Sequence, residues 1–267
     1  MATLSRVSIV IPCFNDGAHL GEAVASAFAQ DHDDYEVIVA DDGSVDTVTL
    51  EALDEAKQHG ARVLRCQHAG VSSARNAAIG AATGEYILPL DADDRLATTY
   101  VRQASSVLDT DPDVGIVGAG TEFFGSGTGE MHPAPPAPAA WLVANQLPVS
   151  AMFRRDDWVR CGGYDEDLRW GEDWHLWVKI VALGRTVRLL STVGLYYRRR
   201  PGQVTENVPW DVQESTRARI LQAGLPIINR FPNDASRILA AQLNQLQAVR
   251  QRPSERLRTA ALRVLGR

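Results

Sequence analysis

Short apolar runs that alternate with helical segments, and that stop in acidic or turn residues, limit this chain to few architectures. Val7 to Ile11 is a β-branched run ended by Pro12, and Asn15-Asp16-Gly17 then turns the chain into a helix from about Leu20 to Gln30. Tyr35 to Ala40 is a second apolar run that stops in Asp41-Asp42-Gly43-Ser44, and Val48 to His59 has helical spacing. A strand over Arg62 to Cys66 and an alanine-rich helix over Ser72 to Ala82 repeat the unit, followed by strands at Tyr86 to Leu90 and Val114 to Ala119 around a helix at Tyr100 to Leu108. The alternation predicts an α/β fold: a mostly parallel, Rossmann-like sheet flanked by helices. In such sheets ligands bind beyond the carboxyl ends of the strands.

That rule gives weight to the residues just past each strand. Tyr86 to Leu90 ends in three carboxylates within four residues, Asp91, Asp93 and Asp94, and carboxylates are among the side chains least expected beside a core strand. A short acidic cluster is by itself most often a solvated turn or a helix cap. Here Pro12 to Asp16, Asp41-Asp42 and Asp91 to Asp94 would converge on one sheet edge, and a divalent cation with oxygen ligands is the economical partner for such a rim. Mg²⁺ or Mn²⁺ uses one or two carboxylates and completes its shell with water and phosphate oxygens.

Beyond Ala119 the character changes. Gly125-Ser126-Gly127-Thr128-Gly129 and the proline-rich Pro133 to Pro138 read as an exposed, mobile loop. Gly118-Ala119-Gly120 is no dinucleotide fingerprint, because no third glycine stands at Phe123 and no helix opens there. Ser150 to Phe153 reads as a short strand and Asp156 to Cys161 as a helical turn capped by Gly162-Gly163. From Asp173 to Leu183 the spacing of Leu176, Trp177, Ile180 and Val181 predicts an amphipathic helix. Glu172 and Asp173 fall in its first turn, where the helix dipole favours anions for stability alone. Val187 to Leu190 and Gly194 to Tyr197 read as two strands of a small mixed addition to the sheet, and from Trp210 onward the chain reads as mainly helical.

Length and charge narrow the class. A chain of 267 residues buries one good core, organised as a domain over 1–205, with halves at 1–120 and 121–205, and a helical extension over 206–267. The net charge of −6 argues against nucleic acid as a main partner. No apolar run approaches the roughly 20 residues that span a bilayer, and the N-terminus lacks the segments of a signal peptide, so the expected location is cytoplasmic. Cys13, Cys66 and Cys161 have no metal-like spacing and read as free thiols.

Six segments, Val7 to Asn15, Val39 to Ser44, Gly70 to Asn76, Leu90 to Asp94, Gly162-Gly163-Tyr164 and Glu172-Asp173, resemble in order and spacing the family 2 glycosyltransferases of GT-A fold. The resemblance covers roughly residues 5 to 200. It implies a nucleotide-sugar donor, with uridine as the favoured base, a divalent cation (Mn²⁺ or Mg²⁺) and sugar transfer with inversion. Carried over by position, Pro12, Phe14, Asn15, Asp42, Arg75, Asp91 and Ala92 would contact the nucleotide, and Asp93 would ligate the metal. Asp173 would be the general base with Glu172 beside it. Two departures stand out. Arg200 occupies the place where many relatives carry a histidine before the Pro-Gly that here is Pro201-Gly202, and His175 stands where an acidic residue is usual.

The chemistry suits those roles. A metal on the diphosphate stabilises the leaving group without a proton, and inversion needs one carboxylate to deprotonate the acceptor hydroxyl. A glycosidase would instead flank the bond with two carboxyl groups. A sugar nucleotidyltransferase would want a glycine-rich basic phosphate loop, which Pro12 to Gly17 does not offer. A non-catalytic sugar-binding protein is the third reading, but both Asp93 and Asp173 are present. Trp170 or Trp174 would stack on the acceptor, be it a carbohydrate, a lipid-linked sugar or a small molecule, whereas Trp177 falls at a core position. The last segment, Arg250 to Arg267, has six arginines against one glutamate. Its apolar face, Leu257, Ala260, Ala261, Val264 and Leu265, suits packing on its own domain, a homodimer partner or peripheral contact with the inner face of the cell membrane.

Overall fold

The computed structural model describes residues 5–134, 137–201 and 208–251. Strands β1 (Val7–Cys13), β2 (Tyr35–Asp41), β3 (Arg62–Arg65) and β4 (Tyr86–Pro89) alternate with helices α1 (Gly17–Phe28), α2 (Thr47–Gln58) and α3 (Val71–Ala81). These four strands pair in parallel in the order β3-β2-β1-β4. After a two-residue strand β5 (Arg95–Leu96) and helix α4 (Tyr100–Thr110), the second half adds β6 (Val114–Gly125), β7 (Gly129–Met131), β8 (Met152–Arg154) and β9 (Thr186–Arg199). They extend the sheet as β4-β8-β6-β9-β5, with β8 antiparallel to both neighbours and β7 folded back on β6.

Alternation along β1 explains the two helical layers. Ile9 and Ile11 belong to a core with Leu20 of α1, Leu53 of α2 and Val101 of α4, whereas Val10 faces Ala74, Ala78 and Ile79 of α3. Helices α5 (Arg155–Cys161) and α6 (Glu172–Ala182) cover this second face, where Trp177 is fully buried with its ring edge against Phe153, 5.7 Å between centroids. Burying side chains of this size stabilises by about 1.5–3 kcal/mol each, which anchors α6 and the residues at its start.

Three sequence expectations change. The glycine-rich stretch is no mobile loop throughout: β6 runs on to Gly125, and Gly125 and Gly129, at φ +87° and +121°, turn it into β7. A Cβ on Gly125 would lie 2.6 Å from the Arg199 carbonyl, so only glycine fits this turn. The proline-rich stretch ends in a 3₁₀ helix (Pro138–Leu142) that buries Trp141. The two strands expected between Val187 and Tyr197 are one, β9, which absorbs register shifts opposite Gly118 and Gly120. Gly194 lies inside it because the Tyr100 ring packs where a side chain would be.

The C-terminal helices are α7 (Trp210–Ala223), α8 (Leu225–Arg230) and α9 (Pro232–Gln251). The basic segment beyond Gln251, with its expected membrane or dimer role, lies outside the described residues. Among the described residues no helix is long and apolar enough to cross a membrane.

Candidate active site

The carboxyl ends of β1, β2 and β4 lie side by side, with Cys13 opposite Asp41 and Val10 opposite Pro89. Above this edge opens a cavity of about 910 Å³ lined by Pro12, Phe14, Asp16, Arg75, Asp91, Ala92 and Asp93 on one side and by Trp170, Glu172, Asp173 and Trp174 on the other. Segments far apart in sequence therefore share one space. Arg75 of α3 joins them. Its side chain is 3 % exposed and its two terminal nitrogens donate to Asp91 Oδ1 at 2.6 Å and Glu172 Oε1 at 2.7 Å.

The three carboxylates after β4 have different environments. Asp91 takes the Arg75 bond. Asp93 accepts from Arg200 at 2.6 Å, and the same guanidinium reaches Asp16 at 3.0 Å. Burial raises the Asp93 pKa, Asp91 adds to the rise and Arg200 opposes it. Asp94 is buried and accepts from the Arg198 backbone N–H at 2.8 Å, tying the turn to β9. Burial, with Asp91 nearby, pushes it up to about 9, so it is neutral at pH 7 and structural.

Asp173 sits in the first turn of α6 after Gly171, which adopts φ +70°. Burial, followed by the Glu172 charge, pushes its carboxyl up to about 7. Its oxygens accept from the Trp174 backbone N–H at 2.7 Å and from Asn145 Nδ2 at 2.9 Å. A carboxylate titrating near neutrality in a cleft is suited to taking a proton from a hydroxyl.

Several expected site residues are taken up by contacts within the protein. Asn15 does not line the cavity: at φ +48° it bonds the following loop, its N–H donating to Ser44 Oγ at 2.9 Å and its Oδ1 accepting from Val45 N–H at 3.1 Å. Asp42 is also set back. Its carboxylate accepts from the N–H groups of Ala69 and Gly70, both at 2.9 Å, and lies 2.9 Å from His68 Nδ1. It supports the cavity through His68, whose ring stacks on Phe14 at 4.1 Å. Trp174 is 3 % exposed and donates its indole N–H to the Trp141 carbonyl, so it has no free face for a sugar. It supports Trp170 edge-on at 6.3 Å, and of the two rings Trp170 is the more exposed. His175 is buried and pushed down to about 4 by burial and by Lys179, hence neutral.

Asn145 and His68 are the residues sequence reading missed. Asn145 lies in an irregular stretch without local pattern, and only the burial of neighbouring Trp141 and Leu142 brings it to Asp173. His68 had a weak signal, its place between the acidic end of β2 and Gly70.

Comparison with known proteins decides the family. The model described as glycosyl transferase family 2 matches residues 8–163, more than half of the chain. The chain belongs to glycosyl transferase family 2. The match runs from β1 past the Asp91–Asp94 turn and stops before Glu172 and Asp173. This family 2 chain is 29 % identical over 224 residues to the uncharacterized glycosyltransferase EpsJ of Bacillus subtilis, covering 75 % of this chain and 63 % of EpsJ. It is 26 % identical over 216 residues to WfaP of Escherichia coli, a UDP-Glc:alpha-D-GlcNAc-diphosphoundecaprenol beta-1,3-glucosyltransferase, covering 76 % of this chain and 81 % of WfaP. It spans less than two thirds of EpsJ and 45 % of a second curated relative, YibD of Escherichia coli. Among solved structures, S. aureus TarS in complex with UDP-GlcNAc superposes with a TM-score of 0.66 at 19 % identity, over 85 % of this chain and 72 % of that one. The mannosyltransferase PcManGT of Pyrobaculum calidifontis, in complex with GDP-Man and Mn²⁺, superposes at 0.61 over 97 % of this chain and 80 % of that one. These likenesses carry the GT-A fold.

Proposed function

We propose that this family 2 chain transfers a sugar from a nucleoside-diphosphate sugar, with uridine as base, to an acceptor hydroxyl with inversion. The observation that carries the reading is the single cavity in which Asp93 and Asp173 both take part while Arg75 bridges their neighbours Asp91 and Glu172. The names of WfaP and of the TarS complex, which cite UDP-Glc and UDP-GlcNAc, favour a UDP-sugar.

In this reading Phe14, backed by His68, forms the wall for the base, and Pro12 and Ala92 shape the floor. A divalent metal fits the donor set. Asp16, Asp91 and Asp93 crowd one side of the cavity, both nearby guanidiniums are already paired, and a diphosphate would add further negative charge. Mg²⁺ or Mn²⁺ would be held by Asp93, with Asp91 near, and its shell would be completed by phosphate oxygens. Bound there, the ion would neutralise charge on the departing nucleoside diphosphate. Asp173 takes the acceptor proton, and the oxygen so freed attacks the anomeric carbon from the face opposite the departing phosphate. Asn145 holds the carboxylate in place, and Trp170 offers the acceptor ring a stacking surface.

The test is to incubate the purified chain with UDP-, GDP- and dTDP-sugars and Mn²⁺ and measure slow release of nucleoside diphosphate. A UDP-sugar should be turned over, and Asp93→Asn should slow release by about 100-fold or more. Failure of all three nucleotides to bind would sink the reading. Trp170→Ala should raise acceptor KM about 3- to 10-fold, the range for one aromatic stacking contact, while donor KM moves little. Equal changes in both constants would contradict an acceptor role.

A further inference from the structure

We propose that the acceptor carries an oxyanion, a carboxylate or a phosphate ester, near its reacting hydroxyl, and that Arg169 recognises it. The inference rests on the glycosyl-transfer reading and adds the acceptor's charge to it. Among the described residues, three guanidiniums line the cavity. Arg75 is engaged by Asp91 and Glu172, and Arg200 by Asp16 and Asp93. Arg169 is exposed and has no hydrogen bond, ion pair or ring partner among the described residues.

A cation in an acidic cavity would be expected to settle on a carboxylate. The construction of its loop keeps Arg169 from doing so. Upstream, Asp165 and Asp167 are both taken by Arg219 of α7, at 2.7 and 3.1 Å, and Glu166 accepts from Asn76 at 2.8 Å. On the other side, buried Thr216 of α7 donates to the Trp170 carbonyl at 2.8 Å, and Leu168 is buried. The backbone around Arg169 is thus fixed on both sides, while its side chain stays exposed at the lining of the cavity that Trp170, Glu172 and Asp173 also line. In the glycosyl-transfer reading Trp170 and Asp173 meet the acceptor, which makes Arg169 the lining cation next to Trp170 in the chain. A planar guanidinium offers a carboxylate or phosphate two parallel hydrogen bonds, so an acceptor whose sugar stacks on Trp170 would present its oxyanion to this fork.

Matched sugars test the idea: methyl glucuronide against methyl glucoside, and N-acetylglucosamine 1-phosphate against methyl N-acetylglucosaminide. Ligand-detected NMR measures binding to the full chain, with and without saturating UDP and Mn²⁺. Wild type should bind the charged member of at least one pair about fivefold tighter, the scale of one solvent-accessible ion pair. Arg169→Gln should abolish the preference and Arg169→Lys retain part of it, with UDP affinity the same in all three. The pair that responds tells carboxylate from phosphate. Equal or undetectable binding of both members in every pair, or a preference that survives in Arg169→Gln, overturns the proposal. Loss of UDP binding in wild type would strike the donor reading instead, and the comparison without nucleotide would still decide the role of Arg169.

Discussion

Asp173→Asn is expected to lower sugar transfer by about 10²–10⁴-fold, the usual contribution of a general base, while nucleotide affinity measured by calorimetry stays within a few-fold. The wild-type rate should climb with pH as the carboxyl loses its proton around 7, because only the carboxylate accepts the hydroxyl proton. Asn145→Ala should move that limb to higher pH, since it removes a hydrogen bond that favours the charged form. Stability runs the other way. The folded pKa of Asp173 is raised above its ordinary 3.8, so its contribution to stability is full below 3.8 and is lost as pH rises through about 7. The Asn variant lacks this titration and should resist urea at pH 8 at least as well as wild type. An inactive variant that is also markedly less stable at pH 8 would indicate a structural role for Asp173 instead.

Arg75→Ala should cost about 3–5 kcal/mol of folding stability, the range for removing one partner of a buried ion pair. The guanidinium is 3 % exposed, lies over the Tyr164 ring at 5.5 Å and holds two carboxylates from distant elements. Glu172 is 16 % exposed and Asp91 32 %, so water screens the Asp91 contact in part, and the variant leaves the two carboxylates without their shared cation. For a chain of this size the midpoint of thermal unfolding should fall by about 10 °C. A shift of a degree or two would mean that water enters the gap freely and that Arg75 does not hold the two sides of the cavity together.

The parts of the fold legible beforehand were those written in local pattern. The β-branched run of β1, the apolar run of β2 and the acidic turn after β4 each announce a strand and its end, and parallel pairing follows from the helices between them. Trp177 was likewise readable as core from its helical spacing. What escaped was decided by contacts distant in sequence. Gly194 looks like a strand boundary until the Tyr100 ring is found against it. Trp174 looks like a sugar platform until the Trp141 carbonyl claims its N–H. Asp42 and Asn15 lie in the right loops, but backbone N–H groups of the neighbouring loops reach them first, and the Asn145–Asp173 bond depends on how Trp141 and Leu142 pack.

The hold of α7 on the loop before α6 bears on how such a catalytic unit could be grafted onto another protein. Thr216 and Arg219 come from beyond the last strand, yet they fix the position of Trp170 and Arg169. On the proposed reading, a chimaera that exchanges only the sheet and its first helices would inherit the donor machinery with its acceptor specificity adrift. One that carries the two as a block would bring its choice of acceptor along.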